Sequence, residues 1–118
     1  MGELGSVSVD EHDHIVVARI TGEVDLSNCK QIQDTLEASV NTDHAALVLD
    51  LGATTYFDSA GVRLVFQLAE RLRARRQAFA VVLGDNEIIQ RVAELTSIAD
   101  HVPCHSTVDA ALASLSSS

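Results

Sequence analysis

Ser59 is the hydroxyl in this chain best placed for chemistry to be done on it. It lies in the run Phe57-Asp58-Ser59-Ala60-Gly61-Val62. Before it comes an apolar stretch, Ala45-Ala46-Leu47-Val48-Leu49-Asp50-Leu51, and after it an amphipathic one from 62 to about 75. The first stretch reads as a strand and the second as a helix, so Ser59 sits where a strand turns into a helix. The first turn of a helix presents unpaired N–H groups and the positive end of the dipole. A phosphate added to Ser59 can be held there. Asp58 is placed to cap the helix, to orient the Ser59 hydroxyl or to meet a partner. Gly61 leaves the backbone bare, so that another surface can approach closely.

Hydrolytic chemistry is not supported. A nucleophilic serine needs a general base and an acid that orients it. The GxSxG elbow is absent. None of the five histidines (His12, His14, His44, His101 and His105) can be set beside Ser59 from spacing. His12 and His14 alternate near Asp10 and Asp13, and His101 and His105 flank Cys104, but neither group has the ligand spacing of a metal site. No P-loop or glycine-rich nucleotide fingerprint occurs. The chain therefore reads as a non-enzyme, with no catalytic residue, metal or cofactor.

Composition narrows the partners. The 118 residues suit one domain, 1–118, and 47% of them are apolar. Aromatics are only 3%, so the core must be built from Val, Leu, Ile and Ala. The net charge of −9, from 8 basic and 17 acidic residues, argues against nucleic acid and anionic membrane. It favours a partner with a basic surface. Arg71, Arg73, Arg75 and Arg76 gather at the end of the second predicted helix, where they complement the dipole or form a docking patch. Cys29 and Cys104 lack CxxC spacing and read as free thiols in a reducing compartment. No apolar run reaches the ~20 residues of a membrane span. Residues 1–13 are acidic and lack the basic and apolar regions of a signal peptide, so a cytoplasmic location is expected.

The elements that position Ser59 follow from periodicity. Strands are predicted at 7–9 and 14–20, joined by a hairpin turn at His12-Asp13, with Gly22 ending the second. Asp25 or Ser27 is placed to cap the next helix, with Asn28 as a weaker start. Cys29, Ile32, Leu36 and Val40 mark one face of a helix over 28–40. A turn at 41–43 leads to the strand at 45–51. The second helix carries Val62, Val65, Phe66, Leu68, Ala69 and Leu72. A buried strand follows at 79–83, then a turn and cap at Gly84-Asp85-Asn86, then a helix over 87–95. His101-Val102-Pro103 is predicted as a short edge strand, because Pro removes a ladder donor. A last helix at 107–115 ends in a serine tail, 116–118. The order ββαβαβαβα defines an α/β fold with a mixed, mostly parallel sheet, a hairpin-like start and about four helices.

Two motifs then carry a resemblance. Thr21-Gly22-Glu23-Val24-Asp25 is similar to the Gly-Glu-aliphatic-Asp segment that follows the second strand of STAS domains. Leu49-Asp50-Leu51 through Tyr56-Phe57-Asp58-Ser59-Ala60-Gly61-Val62 is similar to their aliphatic strand and Asp-Ser-x-Gly-aliphatic turn. With the motifs about 35 residues apart and in order, the chain resembles the STAS domain family, and in particular the bacterial anti-sigma factor antagonists, over about 5–115. The resemblance implies a phosphorylation-switched binding protein acting in transcription regulation and stress response. Its partner is both serine kinase and anti-sigma factor, and binding it frees a sigma factor. A phosphatase resets the switch. Carried over by residue, Ser59 is the phosphoacceptor, and Glu23, Asp25, Asp58, Ser59, Gly61 and Arg63 form the partner surface. Two positions depart from the pattern. Ala60 stands where many relatives carry a second hydroxyl, and Arg63 stands where they carry a small residue. The other role such domains take is an accessory or scaffold subunit of a transporter or stress-sensing complex. A response-regulator receiver is a rival on pattern, with Asp10-Glu11 and Asp50 as its acids. The hairpin start and the single lysine, Lys30, count against it.

Overall fold

The computed structural model describes residues 5–116. The acidic start at 1–4 and the end of the serine tail at 117–118 lie outside them. The chain runs β1 (Ser6–His12), β2 (Ile15–Val24), α1 (Cys29–Ser39), β3 (Ala46–Asp50), β4 (Thr54–Phe57) and α2 (Ser59–Ala74). It continues through β5 (Ala78–Val82), α3 (Glu87–Leu95), α4 (Ile98–His101), β6 (Cys104–His105) and α5 (Val108–Ser116).

One sheet of six strands holds these together in the order β1-β2-β3-β5-β6, with β4 paired to β2 outside that path. β1 is antiparallel to β2, and every other pairing is parallel. The expected α/β class, mixed sheet and hairpin start are therefore present. The hairpin turn is one residue later than expected. Asp13 and His14 both take positive φ, 47° and 68°, as a two-residue turn between right-twisted strands requires.

Strand alternation sorts the core into two layers. Val16, Ala18, Ile20, Leu47, Leu49, Phe79 and Val81 face α1, α2, α3 and α4. The intervening residues, Ile15, Val17, Ala46, Val48, Ala80 and Val82, face the opposite side, where α5 covers them with Ala111, Leu112 and Leu115. β3 is buried at every position because helices lie on both of its faces. The helical spacing read from sequence is the one used: Ile32 and Leu36 of α1 and Leu68 and Leu72 of α2 all enter the larger core.

Four local expectations need correction. Gly22 bends the second strand rather than ending it. It takes φ 100°, and β2 continues through a bulge between Gly22 and Glu23 to Val24. The residues after Gly52 form a strand, β4. The expected strand at His101-Val102-Pro103 is instead the end of α4 and a connector. The Val81 N–H donates to the Pro103 carbonyl at 2.9 Å, and the ladder proper falls on Cys104–His105. Lastly, the cap position of α1 is Asn28, not Asp25 or Ser27.

Candidate functional site

Ser59 is the first residue of α2, exposed, with Asp58 at the cap. The Asp58 carboxylate accepts the Ala60 N–H at 2.9 Å, and its carbonyl accepts the Val62 N–H at 3.1 Å. Of the three roles open to Asp58, capping is thus occupied. Helix geometry carries the Ser59 hydroxyl past the end of β4, with Arg63 exposed four residues on and on the same helix face. Neighbouring hydroxyls are not equivalent. Thr54 is buried and its hydroxyl donates to the Ile20 carbonyl at 3.0 Å.

Gly61 has a different task from the one its sequence suggests. It is buried, and a Cβ built on it would lie 2.9 Å from the ring carbons of Phe57. The missing side chain makes room for Phe57, which closes the core under the start of α2. Its bare face is turned to that ring, not to an incoming partner.

The second motif is brought alongside by a strand that periodicity did not show. In the β2–β4 ladder Glu23 lies opposite Tyr56 and Val24 opposite Phe57. Glu23 and Asp25 at the end of β2 therefore border Asp58 and Ser59 at the end of β4. The loop after β2 is fixed by buried Asn28. Its amide donates to the Glu23 carbonyl at 2.8 Å, and its oxygen accepts the Asp25 N–H at 2.9 Å. Asp25 accepts from the Ser27 hydroxyl and, at 2.8 Å, from the Ser27 N–H. Those bonds, the hydroxyl's first, hold the Asp25 carboxyl below its ordinary value of 3.8.

Sequence reading missed two exposed apolar residues at this edge. Leu26 is 79% exposed in the loop after Asp25, and Tyr56 is 48% exposed on β4. An apolar side chain between polar turn residues is the signal that points to Leu26. Tyr56 becomes legible only once β4 is known to be a strand.

The remaining candidates do not converge on Ser59. Asp50, at the end of β3, is closed by Arg19 Nε at 3.1 Å and the Gly52 N–H at 2.9 Å, while Asp10 and Glu11 lie on β1. Among the described residues no group of three or more His, Cys, Asp or Glu could hold a metal ion. Cys29 and Cys104 are both free thiols, in α1 and β6. Burial pushes the Cys104 thiol above its ordinary value. Among the described residues no helix is long and apolar enough to cross a membrane.

The fold is an α/β sheet with a hairpin start, in which a short parallel strand, β4, leads into the capped start of α2. The family model for the STAS domain matches residues 6–111. This chain belongs to the STAS domain family. BtrV of Bordetella bronchiseptica, provisionally named an anti-sigma factor antagonist, is 30% identical over 107 residues, covering 91% of each chain. The anti-sigma-F factor antagonist RsfA of Mycobacterium tuberculosis is 28% identical over 107 residues, covering 89% of this chain and 83% of its own. The crystal structure of an anti-sigma factor antagonist from Mycobacterium paratuberculosis superimposes with a TM-score of 0.85 at 27% identity, covering 94% and 93% of the two chains. SpoIIAA, solved in its unphosphorylated form, shares the fold with a TM-score of 0.73 at 17% identity, covering 93% and 96%.

Proposed function

We propose that this chain is an anti-sigma factor antagonist: a cytoplasmic protein that acts by binding, not catalysis. Unphosphorylated, it captures an anti-sigma factor that is also its serine kinase, and so frees a sigma factor. Phosphorylation of Ser59 ends the capture, and a phosphatase restores it. The observation that carries this reading is the placement of Ser59. It is exposed, at the first position of α2, on the edge where β2–β4 pairing sets Glu23 and Asp25 beside Asp58. The names of these relatives agree with it.

The physics of the switch is local. Unmodified, Ser59 offers a small neutral hydroxyl between acidic groups and the apolar surfaces of Leu26 and Tyr56. A partner with apolar contacts and a basic rim fits that edge. Phosphate adds about −1.5 to −2 charge and bulk at the same point. The helix N-terminus and Arg63 tolerate that charge within the domain. A partner shaped for the bare hydroxyl loses its fit, and the new charge must be desolvated to restore contact. Ala60 leaves no adjacent hydroxyl to substitute for Ser59, and the buried Thr54 hydroxyl is closed to a kinase.

The test separates folding from binding. Ser59→Ala should retain the melting temperature and the affinity for the purified anti-sigma factor. Ser59→Glu should retain the melting temperature and bind more weakly. Calorimetric titration and thermal melts read the two effects. Equal affinity of the two folded variants would refute the proposed switch.

A further inference from the structure

We propose that a cavity at the opposite end of α2 binds a small organic anion, a carboxylate or phosphate carried on an apolar body. α2 has 16 residues, so its ends lie about 24 Å apart, and this cavity is separate from the Ser59 edge. It is an open groove of about 420 Å³. Ala69, Phe79, Val102 and Pro103 give it an apolar lining, and Arg73, Arg76 and His101 give it cations and a ring nitrogen.

The four arginines clustered in the sequence divide here into two pairs. Arg71 turns to Glu37 at 3.5 Å, and Arg75 reaches the Val40 carbonyl at 3.4 Å, both toward α1 and its end. Arg73 and Arg76 line the cavity. Arg73 has only the exposed Glu70, 3.6 Å away, and such a pair is weak. Arg76 lies past the helix with φ 59°, and its side chain has no hydrogen-bond or ionic partner among the described residues. An acidic chain therefore presents two cations, largely uncompensated, over an apolar floor.

Two further residues make this a built wall. His101 is fixed by its Nδ1, 3.0 Å from the Ser97 carbonyl, and by edge-on contact of its ring with Phe66, centroids 5.4 Å apart. That bond leaves Nε2 free of it, an acceptor when neutral and a donor when charged. Gln77 is buried, and its amide donates to the carbonyls of Asn41 at 2.8 Å and His44 at 2.9 Å. Those two bonds fix the chain just before β5 at the edge of the groove.

The test uses three probes on the full chain: 4-hydroxybenzoate, phenyl phosphate and inorganic phosphate. Backbone and side-chain amide resonances are followed by NMR during titration. At least one of the two organic anions should give saturable shifts centred on residues 69–79 and 101–103. Which of them saturates first tells carboxylate from phosphate. Inorganic phosphate, lacking the apolar body, should bind at least tenfold more weakly. Arg73→Gln with Arg76→Gln should weaken the organic anion at least tenfold, and Ser59→Ala should leave it unchanged. If the double variant melts lower, Arg76→Gln alone carries the comparison. Absence of saturation by both organic anions, equal binding by the arginine variants, or shifts centred on Ser59 and Arg63 would overturn the proposal.

Discussion

Gly61 occupies the first turns of a helix, a place where alanine is ordinarily better by about 1 kcal/mol. Phe57 reverses that preference. A Cβ at position 61 would press to 2.9 Å on a ring that is itself buried. Gly61→Ala should therefore lower unfolding stability by about 1–3 kcal/mol, the usual range for overpacking. Urea denaturation reads the change, and adding Phe57→Leu should recover part of it. Asp58→Ala should cost about 1 kcal/mol through the lost cap. At this scale the Asp58 cap was legible, because a cap is a local role written in neighbouring letters. The role of Gly61 depends on an aromatic ring folding back over the helix start, and nothing in linear spacing announces that.

β4 is the element on which the site depends, and it is only four residues long. Its approach is held by Asn86. The Asn86 amide donates to the carbonyls of Thr54, at 2.6 Å, and of Leu51 and Gly52, each at 3.3 Å. Its oxygen caps α3 through the N–H groups of Ile88 and Ile89. Asn86→Ala should cost about 2 kcal/mol or more, as a cap and a set of carbonyl partners disappear together. Because β4 carries Tyr56 and leads into Asp58, the same substitution should weaken partner binding beyond the loss of folded protein. Titration at a temperature where the variant is fully folded separates the two. The long elements were legible because a buried face repeats over many residues: Ile32, Leu36 and Val40 in one helix, the unbroken apolar run of β3 in the sheet. β4, α4 and β6 have four, four and two residues. Too short for a period, they exist because β2, α3 and β5 supply their partners. The misplacement at Pro103 has the same origin. Its missing N–H marked a sheet edge correctly, but its carbonyl, not its strand membership, is what the ladder uses.

Across the whole molecule, two surface carboxylates tie stability to acid. Glu11 on β1 is held below its ordinary 4.5 chiefly by its hydrogen bond to His44, in the loop before β3. His44 Nδ1 accepts the Asn41 N–H at 3.0 Å, which assigns the Nε2 proton to Glu11. Asp25 is likewise held low by Ser27. A carboxyl with a lowered folded-state pKa contributes fully above its unfolded value and loses that contribution as pH falls through the folded one. The melting temperature should therefore change little from neutral pH to about 4.5 on account of Glu11, and fall below it. Glu11→Gln should flatten the first part of that fall, because the group no longer titrates. Thermal melts across the acid range check both.

The face opposite the helical layer is roofed by one helix, α5, of nine residues. The larger core does not include it. Brief release of α5 thus leaves most of the fold standing and uncovers Ile15, Val17, Val48, Ala80 and Val82 as a continuous sticky strip. The strip ends at β1, which among the described residues pairs with β2 alone and offers an open edge. Self-association of this protein should therefore begin from a nearly native state rather than from the unfolded chain. The surplus of carboxylates then acquires a second use, as mutual repulsion that keeps momentarily opened copies apart.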